Sequence, residues 1–286
     1  MSQDLERLKD WIGKTDTVED RATAMPVHGY AALMDRDTVP KEGDPIGPMS
    51  HWFFFNPVAP ASQIGPDGHP QRGGFMPPVP LPRRMFAGAR TTYHQDLLIG
   101  EKLKRFSTIT DVSVKEGRSG TLVFCTVKHD IHGESGLALE EEHDIVYRDN
   151  PPANAGGGNS GRTKPAPDDH AWTKEINPDP VMLFRYSAIT FNGHRIHYDR
   201  TYVTEVEGYP GLIVHGPLTA SFLVELALEN NPGKPLTGFR FQARAPLFDT
   251  APFQVAGKPG ADGNTAEVWS VTPEGGVGTL ATATFA

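Results

Sequence analysis

The densest chemistry in the chain lies in FNGHRIHYDR, residues 191–200. His194 and His197 stand three apart with Arg195 between them, and Asn192, Tyr198 and Asp199 flank them. Imidazole exchanges protons near neutrality, so this spacing suits a base or a proton carrier. Two histidines with no cysteine or glutamate cluster beside them match zinc spacing poorly, and no metal is expected. A histidine that merely packs and satisfies its hydrogen bonds is the plainer alternative. Shortly afterwards comes HGPLTASFLVELALENNPG, residues 215–233. Gly216 reads as the N-cap of a helix, Pro217 as its first residue and Asn-Asn-Pro-Gly as its stop. The first amides of a helix have no intrahelical partner, and glycine adds no side chain to block them. The Gly216 N–H therefore suits developing negative charge, helped by the helix dipole. A simple cap without a ligand fits the same stretch.

These segments need a frame. Leu218, Phe222, Leu223, Leu226 and Ala227 give the helix a broad apolar surface, broken only by Glu225 and Glu229. Such a helix is buried. Between Met85 and Tyr147, β-branched and aromatic residues alternate with charged ones, interrupted at EGRSG and HGESG. This reads as an antiparallel meander of three strands. Further strands are expected at 181–190, 237–249, 264–272 and 278–285, and short helices at 3–12 and 26–36. A curved antiparallel sheet wrapped around one buried helix is an α+β hot-dog arrangement. Residues 149–168, DNPPANAGGGNSGRTKPAPD, hold almost no apolar side chain. They read as a linker, so the chain divides into 1–148, a linker at 149–170, and 171–286. The loop SQIGPDGHPQRGG at 62–74 follows the aromatic knot HWFFFNP at 51–57. A loop of that length either covers a site or runs over the surface.

The composition excludes some classes. Of 286 residues, 22% are charged and the net charge is −8, which leaves no basic excess for nucleic acid. There is no apolar run of ~18 residues and no apolar core in the first residues, so neither a membrane span nor a signal peptide is expected. One cysteine, Cys125, sits in the strand-like TLVFCTV and reads as a core thiol. A cytoplasmic protein fits these features.

Residues 191–218 resemble the MaoC-like (R)-specific enoyl-thioester hydratases. The family signature Asp-x-Asn-Pro-(Ile/Leu)-His-x-Asp falls on Asn192 to Asp199, and its Ile-Val-His-Gly helix start falls on LIVHGPL at 212–218. His197, Asp199 and Gly216 match. Asn192 replaces the family's catalytic Asp, His194 its Asn and Arg195 its Pro. FRYSAITFNGHRIHYD at 184–199 and the stretch at 81–120 are similar to one branch. That branch holds the mesaconyl-C4-CoA and itaconyl-CoA hydratases and the mitochondrial 3-hydroxyacyl-thioester dehydratases.

The resemblance covers roughly residues 20–286. It implies a double hot-dog, two antiparallel sheets each wrapping a central helix, with a catalytic second half and a first half that has lost its own catalytic set. It implies water addition to an α,β-unsaturated acyl-CoA. His197 would be the base, Gly216 the oxyanion donor and Asn192 the holder of water. Asp199 is a weaker candidate to polarise His197. Coenzyme A is part of the substrate, and no separate cofactor is needed. Its phosphates, and the carboxylate of a dicarboxylyl group, call for cations. Arg83, Arg84 and Arg195 are candidates, with His94, His194 and Tyr198 as further substrate contacts, although any one arginine can equally be solvated surface. A dehydratase of fatty 3-hydroxyacyl thioesters and a non-catalytic acyl-thioester binding module are the alternatives. A homodimer is expected from the way hot-dog sheets pair.

Overall fold

The computed structural model describes residues 5–117, 120–149 and 163–286. One antiparallel sheet of ten strands runs through both halves in the order β1-β3-β4-β5-β2-β7-β10-β9-β8-β6. The first half supplies β1 (Thr15–Arg21), β2 (Arg83–Tyr93), β3 (Lys102–Gly117), β4 (Gly120–Gly133) and β5 (Gly136–Arg148). The second supplies β6 (Trp172–Ile176), β7 (Leu236–Ala243), β8 (Phe253–Pro259), β9 (Thr265–Val271) and β10 (Val277–Phe285). Read inward from either edge, the two halves repeat one strand order. They meet where β2 pairs with β7, from Gly88 opposite Gln242 to Thr92 opposite Gly238. Gly88 sits at a register shift in β2, and a Cβ there would stand 2.3 Å from the Phe241 carbonyl. Only glycine lets the two backbones approach so closely.

Each half inserts helical structure between its first strand and the strand at the central seam. In the second half these are α2 (Pro180–Ile189) and α3 (Gly216–Glu229). Residues Leu218 to Val224, with Leu226 and Ala227, are all buried. α3 is the core around which β7 to β10 curl, and each of its large side chains contributes about 1.5–3 kcal/mol by leaving water. In the first half the corresponding insertion holds α1 (Ala24–Leu33) and two 3₁₀ turns, Ser50–Phe53 and Ala61–Gln63. The central helix expected in this half is thus reduced to one aromatic turn. Glu225 of α3 accepts hydrogen bonds from Tyr30 of α1 (3.2 Å) and from Arg36, which ties the halves together.

Several elements differ from their sequence expectation. Residues 181–190 form a helix, because Asp179 caps the Met182 N–H at 2.7 Å and Pro180 starts the first turn. The 85–147 stretch makes four strands. β8 was hidden by Gly257 and Pro259, while β1 and β6 are short, charged edges. Of the helix expected at 3–12, residues 3 and 4 lie outside the described residues, and Arg7–Trp11 form a 3₁₀ turn. Gly216 is the first helical residue, with His215 at the N-cap. Of the expected linker, residues 150–162 lie outside the described residues. Beyond them, Lys164 and Ala166 already hydrogen-bond the turn between β9 and β10, so the second half begins there. Cys125 is buried in β4 as expected, and burial pushes its thiol up to about 12. No helix among the described residues is long and apolar enough to cross a membrane.

Candidate active site

His197 lies on a 3₁₀ turn, Arg195–His197, that follows the end of α2 rather than a strand. Its ring is buried, and its Nδ1 lies 2.7 Å from the Ile213 carbonyl. A carbonyl only accepts, so Nδ1 carries the proton and Nε2 keeps a bare lone pair. The ring stacks on that of His215, centroids 3.7 Å apart and planes 18° apart. His215 directly precedes Gly216, so the His197 ring and the start of α3 share one small space. Ser187 of α2 shares a 2.8 Å hydrogen bond with His215 Nε2 and fixes that ring from behind. No side chain caps α3, and the Gly216 N–H has no partner among the described residues.

Both stacked rings are neutral. Burial, then the neighbouring His194, pushes His197 down to about 3, against the pull of the Ile213 hydrogen bond. Burial, then His197, holds His215 well below the ordinary range. The sequence-based expectation that His197 titrates near neutrality is therefore corrected, because the ring is buried. The consequence for stability has a definite sign. The unfolded chain binds protons at these histidines below about pH 6.5 and the folded chain does not, so stability falls as pH drops through this range toward about 3. Each such histidine costs about 1.4 kcal/mol per pH unit. Urea unfolding is expected to show the protein at least about 2 kcal/mol less stable at about pH 5 than at about pH 7. Equal stability at both would contradict buried, neutral rings.

The loop at 62–74 covers this site from the first half. The Arg195 N–H donates to the Asp67 carbonyl at 2.9 Å, and the His69 ring lies 4.1 Å from that of His194, which meets His197 edge-on at 5.4 Å. Burial pushes His194 down to about 3. Gly68, at φ +91°, packs so tightly that a Cβ would stand 1.9 Å from the Gly193 carbonyl. Gly68→Ala is therefore expected to lift the loop. Because the loop is at the surface, we expect substrate KM to rise about tenfold and the melting temperature to change by only a few degrees. An unchanged KM would mean the cover has no part in binding. Asp67, His69 and His194 place three potential metal ligands within 4.8 Å of one another. Asp67 already accepts hydrogen bonds from the His69 backbone and ring, which hold its carboxyl low against the raising effect of burial.

The remaining candidates divide. Asn192 Oδ1 accepts from the His194 N–H at 3.0 Å, which leaves its Nδ2 as the group that can meet water. Arg195 is engaged by the protein. It holds Asp199 and the Pro66 carbonyl and lies over the Tyr202 ring. Asp199, so engaged, does not polarise His197; the Ile213 carbonyl does. Tyr198 is exposed and donates to the Gly193 carbonyl. Arg83 bridges to Tyr209 and Glu207. His94 pairs with Glu140 in a surface network with Lys128, away from the site. In these four, protein groups occupy atoms that substrate was expected to meet. Arg84 is half-buried, and its charge reaches His194. His215, Ser187, Asp67 and His69 were not anticipated from the sequence, and only His215, inside the helix-start motif, carried a signal there.

Residues 49–249 match the family of hydroxyacyl-thioester dehydratases type 2. A mesaconyl-C(4)-CoA hydratase of Chloroflexus aurantiacus is 49% identical over 253 residues, 88% of this chain and 89% of that protein. The chain belongs to the hydroxyacyl-thioester dehydratase type 2 family. The crystal structure of a MaoC-like dehydratase from Phytophthora capsici superposes with a TM-score of 0.66 at 14% identity, over 99% of this chain and 98% of that one. A Mycobacterium tuberculosis protein described as a double hotdog superposes at 0.53 and 10% identity, over 96% of each chain. These likenesses place the ten-stranded architecture as an α+β double hot-dog. Within this dehydratase family fold, the paired imidazoles and the open helix start fall in the second half.

Proposed function

We propose that the chain is a hydro-lyase that adds water across the C=C of a short branched dicarboxylyl-CoA, converting mesaconyl-C4-CoA to citramalyl-CoA. The observation that carries this reading is His197: buried, neutral, its Nδ1–H held by Ile213 and its Nε2 bare, stacked beside the first residue of α3. Water approaches C3 and gives its proton to His197 Nε2 as its oxygen bonds to carbon. The electron pair of the double bond moves onto the thioester oxygen, where the Gly216 N–H and the helix dipole receive it. The enolate then takes the proton back at C2, so one water is added and the enzyme is unchanged. The imidazole of the free enzyme is a weak base, but the anion growing beside it in a dry site stabilises imidazolium as it forms. Asn192 Nδ2 holds the water but cannot take its proton. Arg84 is the cation we assign to the coenzyme A phosphates.

The 49% identity to a mesaconyl-C(4)-CoA hydratase supports this acyl group over itaconyl-CoA. The family description keeps 3-hydroxyacyl-thioester dehydration as the second reading. No cofactor or metal enters the reaction as written. We also propose a cytoplasmic homodimer. Val181, Phe184 and Phe191 are exposed apolar side chains at and beyond α2 that a second copy would cover. The test of function is the loss of enoyl-thioester absorbance with mesaconyl-C4-CoA, itaconyl-CoA and crotonyl-CoA, with product identification. Turnover of mesaconyl-C4-CoA to citramalyl-CoA in preference to the others supports the reading. Turnover of none of them would overturn it.

A further inference from the structure

The first half holds a cavity of about 200 Å³ between its sheet and the start of α3. It is there because a helix is not. Where the second half fills its sheet with α3, the first half places the 3₁₀ turn Ser50–Phe53 against its own. Pro217 forms part of its wall, and the Phe86 carbonyl, from another lining residue, lies 4.0 Å from where a Gly216 Cβ would be. The cavity therefore adjoins the turn that would grip the thioester oxygen.

Apolar side chains make most of its lining, and His51, Arg105, His129, Glu141 and His143 interrupt them. Strand register sets Ser107, His129, Glu141 and Thr91 side by side across β3, β4, β5 and β2. Glu141 is buried and its charge is fully engaged. It accepts from Trp52 Nε1 at 2.9 Å, Thr91 Oγ1 at 2.8 Å and His51 Nε2 at 3.1 Å, and it also bonds the His143 ring. His129 shares a hydrogen bond with Ser107. Arg105 differs from all of these. It lies over the Phe55 ring, its Nε is buried without a partner, and it forms no ion pair among the described residues. Its more distant charges, Asp16, Asp20 and Glu141, do not meet it directly. A cation left in this state lacks an anion.

We propose that Arg105, on the wall of this cavity, pairs with the free carboxylate of a dicarboxylyl-CoA. The inference rests on the hydratase reading for the chemistry, but binding selectivity tests it separately. In mesaconyl-C4-CoA the carboxylate sits on the carbon that receives hydroxyl, so the anion lies next to the reacting bond and must be held close to the start of α3. The volume agrees, being below the roughly 300–1,000 Å³ of pockets that enclose larger ligands. A methyl and a carboxylate fit it.

The experiment compares isosteric pairs on the full-length protein. Calorimetry with succinyl-CoA and butyryl-CoA, which differ by carboxylate against methyl, reads binding without turnover. The wild type is expected to prefer succinyl-CoA by about tenfold or more, and Arg105→Met to erase that preference while leaving butyryl-CoA binding within about threefold. Turnover of mesaconyl-C4-CoA should fall about 100-fold in kcat/KM in the same variant, with 3-methylcrotonyl-CoA unchanged. Should Arg105→Met fail to fold, Arg105→Lys keeps a cation without the bidentate fork, and it is expected to cut the succinyl preference by about threefold or more. A preference that survives either substitution, or is absent from the wild type, overturns the proposal. So does an equal loss on both members of a pair, which would make Arg105 structural. If neither enoyl-CoA turns over while the succinyl preference behaves as expected, the Arg105 pairing stands and the hydratase reading falls.

Discussion

Replacing His197 by alanine is expected to lower kcat by about 10³-fold or more, because one imidazole both takes the proton from water and returns it to C2. The wider family places an Asp where Asn192 stands, and a carboxamide cannot share that work, so little activity should remain. His197→Gln is the matched control. Glutamine can still donate to the Ile213 carbonyl and fill the volume beside His215, yet it carries no basic nitrogen. Both variants should bind acyl-CoA with nearly unchanged KM, since the interaction lost belongs to the transition state. The wild-type pH profile sharpens the point. With His197 held down to about 3, kcat/KM should stay flat from about pH 8 to about pH 5. An acid limb at the ordinary histidine value would mean that the ring is hydrated in the free enzyme.

Gly216→Pro is expected to lower kcat by about 10²–10³-fold without unfolding the protein. The substitution deletes one N–H and little else. Proline is at home in the first turn of a helix, where the lost donor has no intrahelical partner. His215 has φ −58° and ψ 133°, the extended conformation that the residue before a proline adopts. A Cβ at residue 216 meets nothing closer than the Phe86 carbonyl at 4.0 Å. Gly216→Ala is the partner experiment, because it adds the same Cβ and keeps the N–H. Circular dichroism should report the same helix content for both, with kcat lost in the proline variant alone. Equal activity in the two would remove the amide from the mechanism.

The parts of this account that were legible in the sequence are those that local chemistry decides. α3 announced itself by its proline, its apolar surface and its Asn-Asn-Pro-Gly stop, and the His197 and Gly216 motif lay in two short strings. α2 reads as a strand because Val, Phe, Tyr and Ile within it favour strands, although Asp179 and Pro180 spell a helix start. What tertiary contact decides was not legible. Nothing in HWFFFNP says that a helix has shrunk to one turn and left a cavity. Glu140, Glu141 and Glu142 look alike in the chain, and only the pleat turns the middle one inward. Among the arginines, sequence cannot separate Arg83 and Arg195, which protein partners already hold, from Arg105, which faces the cavity unpaired. The loop at 62–74 had a visible length but no visible destination until Gly68 met Gly193.

The central claim is that one thioester is gripped by the Gly216 amide while its C3 faces the bare nitrogen of His197. A crystal structure with a bound, unreactive saturated acyl-CoA measures this directly. The account predicts the thioester oxygen at about 3 Å from the Gly216 nitrogen, with the acyl C3 on the Nε2 side of the His197 ring. A thioester oxygen held by any other group, or an acyl chain that leaves His197 on its Nδ1 side, would contradict it.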